Sequence, residues 1–389
     1  MSLLISINQE IGSFQNMTVP QLINTFLSQE YYEALELRID QAERDKSNST
    51  FAYFNDYEIL YYYCHQRKNI DKDKIISEGT KREYLRELLQ FSKNIVQFSE
   101  EMGVDISHIN EGSLFKSLEP RHIKSYQEWM VNELPLKQGR KAYSPATIAR
   151  KTTIIKGFLN FLYKNGYIEI DLTNRLAAAT VSADERPDRD LGPKEAVELL
   201  KFFKEQQHPI IFGILHVLIT TGIRNIEFCR ARVCDLTYDH VRGEYFLKIH
   251  GKGNKKRIVP IKPKVYHSIV EFRKIRGLKT VLDPKDTSPL FVNVEGNAYR
   301  NSYLSRYINK VVKRAGFEWI ENRPNPITPH VFRHCFAIIS YHSGADIYKI
   351  MRSLGHEKIE TTMIYLQKEF EKEDNALYTW TNGELADFL

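Results

Sequence analysis

One stretch of this sequence is patterned for β-strands, in a chain whose apolar residues otherwise recur at helical spacing. The runs YFLKI (245–249) and RIVPI (257–261) are joined by GKGN (251–254), which is typical of a β-hairpin. Pro260 has no N–H to donate to a neighbouring strand, so we expect the second run at a sheet edge. The sequence therefore predicts a mainly α protein with a small β-sheet, an α+β fold.

The clearest helix begins near Ser144, a favourable N-cap, with Pro145 in its first turn and Gly166 as its C-cap. Its apolar stripe consists of Ile148, Ile155, Phe158, Leu159 and Leu162. A second apolar run, 209–223, is too short to span a bilayer and contains a histidine. We therefore expect a buried helix there and no membrane segment.

The composition is that of a folded protein of two or three domains. The chain has 389 residues, of which 42% are hydrophobic and 27% charged. Its 4 cysteines show no CxxC pair, and the apolar N-terminus lacks the basic flank of a signal peptide. These features predict a cytoplasmic protein in a reducing compartment.

The net charge of +6 is unevenly distributed along the chain. Residues 245–279 contain eleven Lys or Arg and one acid, Glu271, whereas residues 1–75 contain eleven acids and seven bases. A basic stretch on a nearly balanced chain indicates a surface that meets a polyanion, with nucleic acid the first candidate.

Composition separates three regions joined by a charged linker. Residues 1–75 form an acidic helical region of unknown role, and residues 76–180 form a helical region. The segment 181–190, which includes SADERPDRD, lacks apolar anchors and is predicted to be an exposed linker. Residues 191–389 form the third region, which holds the predicted hairpin and the C-terminal tail.

Four short stretches of the third region could carry chemistry: TTGIRNIE (220–227), HGKGNKKR (250–257), TPHVFRH (328–334) and LGHEKIETTMIY (354–365). Each is ambiguous alone. Arg224 could form a surface ion pair with Glu227, one helical turn away, or be a guanidinium held rigidly at the end of a buried helix. Lys252, at the predicted hairpin tip, could be solvated or could reach a nucleic-acid backbone.

His330 and His334 have the spacing of helix-borne zinc ligands, but the carboxylate of an HExxH pattern is missing. Arg333 would place a cation between the two imidazoles. His330 and Arg333 share a helix face, and both can donate to an oxyanion, so a phosphate suits them better than a metal. A lone tyrosine at a helix end, such as Tyr365, is most often a half-buried residue that only contributes to packing.

Taken in order, the motifs G-x-R-x-x-E, G-K-G-x-K-x-R, H-x-x-R-H, L-G-H and a tyrosine nine residues beyond resemble those of the tyrosine recombinase (phage integrase) family. The likeness extends from about residue 191 to the C-terminus, and implies a catalytic domain there. Residues 144–168 are similar to that family's helical core-binding domain, which would make 76–180 a DNA-binding domain. The stretch TYDHVRGEY (237–245) departs from the family pattern, and we expect it to be a loop.

The resemblance implies a site-specific DNA recombinase or integrase that cuts and rejoins strands through a 3′-phosphotyrosyl intermediate. Tyr365 would be the nucleophile, and Arg224 and Arg333 would clamp the scissile phosphate, with Glu227 orienting the first arginine. Fixed guanidinium charges can stabilise the transition state, and the phosphotyrosyl bond conserves the energy of the broken one. Neither metal nor ATP nor any other cofactor is then expected.

Three further residues receive catalytic roles from the same resemblance. Lys252 and His330 would take part in proton transfer, since a 5′-alkoxide is a poor leaving group and a phenol a weak nucleophile near neutral pH. His356 would donate a hydrogen bond to the phosphate.

Double-stranded DNA is the partner that these features predict. Arg150, Lys151 and Lys156 lie off the apolar stripe of the 144–166 helix and are either a solvated face or contacts to the DNA backbone. Lys255, Lys256 and Arg257 could bind flanking phosphates.

The C-terminal tail (369–389) carries Phe370, Leu377, Trp380, Leu385 and Phe388 among acids. It could fold back on its own domain or, as in the family, dock on a neighbouring subunit, which implies a homo-tetramer on two DNA duplexes. Two functional alternatives remain. One is a site-specific DNA-binding regulator that keeps the fold without strand transfer, and the other is a zinc-dependent hydrolase built on His330 and His334.

Overall fold

The structure is a computed structural model that describes residues 18–27, 30–45, 49–51, 53–66, 76–105, 113–132, 143–178, 189–251 and 256–374. Lys252, Lys255 and the tail beyond residue 374, to which the sequence assigns roles, lie outside these residues. The chain divides into two compact units, Met1–Arg186 and Pro187–Leu389. The division falls within the predicted linker, and the finer three-part division by composition stays a prediction.

The first unit is helical throughout its described residues. Its α-helices are α1 (Val19–Phe26), α2 (Glu30–Arg44), α3 (Asp56–His65), α4 (Glu78–Gln97), α5 (Ser99–Met102), α6 (Pro120–Asn132) and α7 (Pro145–Lys164). Short 3₁₀ helices occupy Phe115–Ser117 and Leu172–Arg175. Buried residues from both sides of residue 75, among them Leu60 and Leu85, belong to one hydrophobic core.

Helix α7 confirms the N-cap expected from sequence and most of the apolar stripe, in which Ile148 is only partly buried. The Ser144 hydroxyl accepts the N–H of Thr147, and Pro145 occupies the first turn. Residues Ile155, Phe158, Leu159 and Leu162 are buried. The helix ends at Lys164 and its C-cap is Asn165; Gly166, expected as the C-cap, follows one residue later with a φ of +67°, which its lack of a Cβ allows.

The second unit packs helices around a second core and a three-stranded sheet. Its helices are α8 (Pro193–Glu205), α9 (Pro209–Thr221), α10 (Asn225–Arg230), α11 (Pro263–Ile275), α12 (Asn301–Lys313), α13 (Glu318–Glu321), α14 (Pro329–His342), α15 (Ile347–Leu354) and α16 (Ile359–Glu373), with a 3₁₀ turn at Val233–Asp235. The predicted apolar helix, α9, is buried along most of its length. No helix among the described residues is long and apolar enough to cross a membrane.

The sheet is antiparallel, in the order β1 (Leu236–Asp239), β2 (Glu244–His250) and β3 (Lys256–Ile261). Pro260 lies on the edge strand β3, opposite Phe246, as predicted. The loop expected at 237–245 is wrong, because Thr237 pairs with Phe246 and a tight turn follows Asp239. The four-residue strand β1 was too short to show a clear alternation. A mainly α fold with a small sheet is confirmed.

Helix ends of the second unit converge on one place. Gly222 is the C-cap of α9 and Gly355 is the C-cap of α15, both with left-handed φ values, +60° and +68°. Helix α14, which begins at Pro329, packs against α9, α15 and α16. The backbone carbonyls at these helix ends therefore lie beside side chains of α14.

Candidate active site

Arg333 is held at the centre of this arrangement. Its side chain is almost entirely buried, with 1% of the residue exposed. Nη1 donates to the Gly222 carbonyl at 2.7 Å, and Nη2 donates to the Leu354 carbonyl at 2.7 Å. Burial, and next the charge of Arg224, lower the pKa of Arg333 to about 10, so the guanidinium stays charged at neutral pH. A fixed cation thus bridges the ends of α9 and α15.

Backbone geometry favours glycine at both of these helix ends, and at Gly222 lack of space requires it as well. A Cβ on Gly222 would lie 2.7 Å from a ring carbon of Phe336 and 2.9 Å from a methyl of Leu354. A Cβ on Gly355 would lie 3.1 Å from Cδ of Arg257. The Gly222 carbonyl accepts a hydrogen bond from Arg333, and the Gly355 carbonyl accepts one from Arg224. The two glycines therefore help to position both guanidiniums.

Arg224 caps the start of α10. Its Nη1 donates to Glu227 Oε1 at 2.9 Å, and its Nη2 donates to the Gly355 carbonyl at 3.1 Å. The side chain keeps 37% of its surface exposed, whereas the Glu227 side chain keeps 2%. The ion pair expected from the i, i+3 spacing is therefore present, but its acidic member is buried.

Arg257 is placed differently from the sequence-based expectation of a flanking phosphate contact. Its Nη1 and Nη2 donate to the two oxygens of Glu227 at 2.8 and 2.7 Å, and its Nε donates to the Ser353 carbonyl at 3.1 Å. Burial would raise the pKa of Glu227, but Arg257 and then Arg224 outweigh it and hold that pKa at about 2. The neighbouring Lys256 is exposed at the start of β3.

Tyr365 lies on α16 against three histidines. Its ring centroid is 3.8 Å from that of His334, in a stacked arrangement, and 5.8 and 5.1 Å from those of His330 and His356, edge to face. The phenol is close enough to Arg333 to oppose in part the lowering of the pKa of that guanidinium. The residue is 8% exposed. The structure therefore brings Tyr365 to the site that holds the two arginines.

Both predicted catalytic histidines are held neutral. Burial, followed by Arg333 and Arg224, lowers the pKa of His356 to about 3. The ring of His356 is buried and its Nδ1 lies 2.9 Å from the Thr362 hydroxyl. His330 is more exposed, and its pKa is lowered by partial desolvation first and then by His334 and nearby arginines. A neutral imidazole can accept a proton or donate one hydrogen bond.

His334 is the site residue whose place the sequence reasoning missed. Both ring nitrogens are buried, and neither has a hydrogen-bond partner among the described residues. Nδ1 lies 3.8 Å from Asp190 Oδ1, whose other oxygen is 3.2 Å from Nζ of Lys368, also on α16. The i, i+4 spacing of His334 from His330 was the sequence signal for its place in the site, but that spacing had suggested only a metal site. In the described ranges, no group of three or more His, Cys, Asp or Glu side chains could hold a metal ion.

The cations of α7, in the first unit, are partly engaged within the protein. Arg150 forms a two-pronged ion pair with Glu83, at 2.9 and 3.0 Å. Lys151 does not lie off the apolar stripe as expected, since it is buried, pairs with Glu87 and lies 4.6 Å from the centroid of the Tyr143 ring. Lys156 is exposed.

The arrangement in the second unit suits a phosphate ester with a nucleophile beside it. Arg224 and Arg333 supply permanent positive charge through planar groups that can donate to two oxygens. Backbone carbonyls hold both guanidiniums, and Glu227 also holds that of Arg224, so the charge needs no rearrangement to receive an oxyanion. The Tyr365 phenol adjoins this charge, while His330 and His356 add neutral donors or acceptors.

Residues 189–372 match the Phage integrase family. Among the most similar curated proteins is tyrosine recombinase XerC of Corynebacterium glutamicum, 29% identical over 225 residues, which cover 57% of this chain and 68% of the relative. Tyrosine recombinase XerC of Thermodesulfovibrio yellowstonii is 28% identical over 255 residues, covering 64% of this chain and 80% of the relative.

Solved structures agree in fold. A lambda integrase dimer bound to a COC′ core site matches with a TM-score of 0.56 at 14% identity, covering 86% of this chain and 85% of the other. XerH site-specific recombinase bound to its difH substrate matches with a TM-score of 0.52 at 20% identity, covering 77% and 79%.

Proposed function

We propose, on the premise that residues 189–372 belong to the phage integrase family of tyrosine recombinases, that this chain cuts and rejoins DNA strands through Tyr365. The family expected from the sequence motifs is confirmed. The class of enzyme, a site-specific DNA recombinase, is confirmed with it, and a regulator without strand transfer is not favoured. The residue roles below are our proposal.

The observation that carries this proposal is the pair of anchored guanidiniums beside a buried phenol. Arg333 donates to the carbonyl of Gly222, just beyond α9, and to that of Leu354, the last residue of α15. Arg224 donates to the carbonyl of Gly355, just beyond α15. Holding the buried Arg333 close to a second cation, Arg224, opposes folding unless an anion lies near both. An anionic ligand between them offsets that repulsion, and a DNA phosphodiester is the anion that the family handles.

In the proposed reaction the Tyr365 oxygen attacks the scissile phosphorus and the bond from phosphorus to the 5′ oxygen breaks. A phosphotyrosyl bond replaces the broken one, the phenol loses its proton and the leaving 5′ oxygen gains one. Arg224 and Arg333 stabilise the charge that develops on the two non-bridging oxygens. Attack by a 5′ hydroxyl of another strand reverses the steps, so rejoining needs no added energy source.

The proton transfers fall to side chains of suitable charge. His330 lies beside the Tyr365 ring, with centroids 5.8 Å apart, and we assign it to activation of the phenol. Lys252, outside the described residues, is assigned to protonation of the leaving 5′ oxygen. His356 donates a hydrogen bond to a phosphate oxygen, with Thr362 holding the other side of its ring.

DNA affinity in this proposal comes from dispersed backbone contacts. Arg150 and Lys156 of the first unit and Lys255 and Lys256 of the hairpin are assigned to phosphates. Lys151 is assigned a supporting role on Glu87, because its charge is already matched inside the protein.

The finer biology is also part of the proposal. Four copies of the chain would act on two DNA duplexes in the cytoplasm, as an integrase of a phage or other mobile element. Residues 369–389 would dock on a neighbouring subunit; of the tail's apolar residues, Phe370 is partly buried and packs against the small core of α14–α16, and the others lie outside the described residues. The acidic residues 1–75 would contact a protein partner.

A suicide substrate tests the reaction. A DNA duplex containing the binding site and a nick near the cleavage position loses a short fragment on cleavage, which traps the covalent complex. We expect an adduct with the wild-type protein and none with Tyr365→Phe. Specific binding without an adduct on a validated site would instead support the regulator, and loss of cleavage to chelators would support the zinc hydrolase.

A further inference from the structure

The Glu227 carboxylate is shared by two arginines from different segments. Oε1 accepts from Nη1 of Arg224 at 2.9 Å and from Nη1 of Arg257 at 2.8 Å. Oε2 accepts from the backbone N–H of Arg224 at 2.7 Å and from Nη2 of Arg257 at 2.7 Å. Each oxygen therefore has two donors, and the carboxylate, 2% exposed, depends on the protein for its hydrogen bonds.

We propose that Arg257 is a positioning residue for the strand-cleavage reaction, acting on Arg224 through Glu227. This inference rests on the proposed function and deepens it. Arg257 neutralises Glu227 through a two-pronged ion pair, which leaves the charge of Arg224 uncancelled and available to a phosphate. Without Arg257, Arg224 would be the only one of the two arginines left to neutralise the buried Glu227 carboxylate. We expect the Arg224 guanidinium to move toward that carboxylate and away from a bound phosphate.

Arg257 also supports the second anchor of Arg224. Its Nε donates to the Ser353 carbonyl, and its side chain lies against Gly355, close enough that a Cβ there would contact Cδ. The Gly355 carbonyl is the other acceptor for Arg224, and His356 follows it in the chain. One side chain thus fixes both groups that orient Arg224, along with the turn that precedes a predicted catalytic histidine.

A direct phosphate contact by Arg257 fits the structure less well. All three nitrogens of its guanidinium group donate to protein acceptors, and 15% of its side chain is exposed. Arg224 has more than twice that exposure, 37%, on the same carboxylate. Of the two guanidiniums, Arg224 is therefore the one presented to a ligand.

The test compares three variants in single-turnover cleavage and in duplex binding. Arg257→Gln removes the charge, and Arg257→Lys keeps it but cannot span both carboxylate oxygens. Arg232→Gln is the control, since Arg232 also forms a two-pronged ion pair with a buried carboxylate of the same unit, Asp235, outside the proposed site. Thermal unfolding of each variant shows whether it is folded.

We expect Arg257→Gln to cleave about 100-fold more slowly, the scale of a small misplacement at a reacting centre, with Arg257→Lys intermediate. Arg232→Gln should cleave like the wild type, and the duplex affinity of all three should change less than about threefold, since affinity is spread over many phosphates. Unimpaired cleavage by Arg257→Gln would overturn the proposal, and so would a defect of equal size in DNA binding.

Modified phosphates separate a positioning role from a structural one. A methylphosphonate at the scissile position lacks one charged non-bridging oxygen and has less need of the arginines, so the Arg257→Gln defect should shrink on it. A 5′-bridging sulfur leaves without needing a proton, so the defect should persist there. The reverse pattern would place Arg257 on the leaving-group side and overturn the proposed route through Arg224.

A crystal structure of Arg257→Gln, or of Arg257→Lys should the first variant be unfolded, gives a readout independent of catalysis. We expect Arg224 to lose its bond to the Gly355 carbonyl. If Arg224 keeps its contacts to both Glu227 and Gly355, the inference is wrong. If instead the wild-type protein forms no adduct while Arg224 moves as expected, the proposed function fails and the positioning by Arg257 stands.

Discussion

The imidazole of His334 stacks on the phenol of Tyr365, with ring centroids 3.8 Å apart and planes 19° from parallel. One ring belongs to α14, next to Arg333, and the other to α16. The stack therefore ties the proposed nucleophile to the helix that carries the central arginine. Neither nitrogen of His334 has a hydrogen-bond partner among the described residues, and the Asp190 carboxylate lies 3.8 Å from Nδ1, so we expect the ring to act mainly through its flat face.

Replacing His334 by alanine should slow cleavage about tenfold, because the phenol loses the surface that fixes its orientation. Truncating this buried ring should also lower the free energy of unfolding by about 2 kcal/mol. Single-turnover cleavage and thermal unfolding measure the two effects.

His334→Phe is the informative companion, since it keeps a flat ring and removes the nitrogens. We expect it to retain most of the cleavage rate, because stacked aromatic pairs contribute about 0.5–1.5 kcal/mol regardless of hydrogen bonding. A phenylalanine variant as slow as the alanine variant would show that the imidazole nitrogens take part in the reaction.

Gly222→Ala should be among the most damaging single-methyl changes in the second unit. The residue has a φ of +60°, which costs an L side chain about 1–2 kcal/mol, and its Cβ would lie within 3 Å of both Phe336 and Leu354. The Gly222 carbonyl would move with the backbone, taking the Arg333 anchor with it. We expect a loss of about 3 kcal/mol in unfolding free energy together with slower cleavage.

Gly277→Ala is the control for backbone strain alone. Gly277 has a φ of +67°, but nothing lies within 4 Å of a Cβ built there. Its alanine variant should lose only about 1–2 kcal/mol and cleave normally. Equal stability losses in the two variants would mean that the contacts of Gly222 with Phe336 and Leu354 relax without cost.

The sequence was sufficient for those features that depend on local patterns. The N-cap of α7, the buried α9 and the edge position of Pro260 were all predicted, because N-caps, apolar runs and proline act within a few residues. The strand β1 was missed since its pairing depends on β2. Burial of Lys151 was missed for a similar reason, as its partner Glu87 lies on a different helix.

The site residues were located by motif, whereas their anchoring could not be foreseen. Sequence spacing says that Arg333 and His330 share a helix face. It does not say that Gly222 and Leu354, far apart in the chain, supply the carbonyls that hold Arg333. Arg257 was assigned to DNA for the same reason, since nothing in its own segment reveals that Glu227 accepts from it.

Removal of the Arg333 guanidinium should cripple cleavage while leaving duplex affinity largely intact, because this side chain is almost fully buried and affinity rests on many exposed cations. In Arg333→Ala the carbonyls of Gly222 and Leu354 also lose their donors, at a cost of about 1–3 kcal/mol each. Arg333→Lys is the milder variant and should fold. Filter binding and single-turnover cleavage measure the two properties, and a parallel loss of binding would contradict the assignment.

Stability should fall as the pH drops from about 7 to about 5, because His356 has a folded pKa of about 3 against about 6.5 in the unfolded chain. Above about pH 6.5 both states are neutral and the folded state carries no penalty. Below it the unfolded chain takes up a proton that the folded protein excludes, so stability is lost as the pH falls toward the folded pKa. His330 and His334 shift in the same direction. The thermal midpoint of His356→Gln should therefore fall less steeply between these pH values than that of the wild type, and identical slopes would show that the pKa of His356 is the same in the folded and unfolded states.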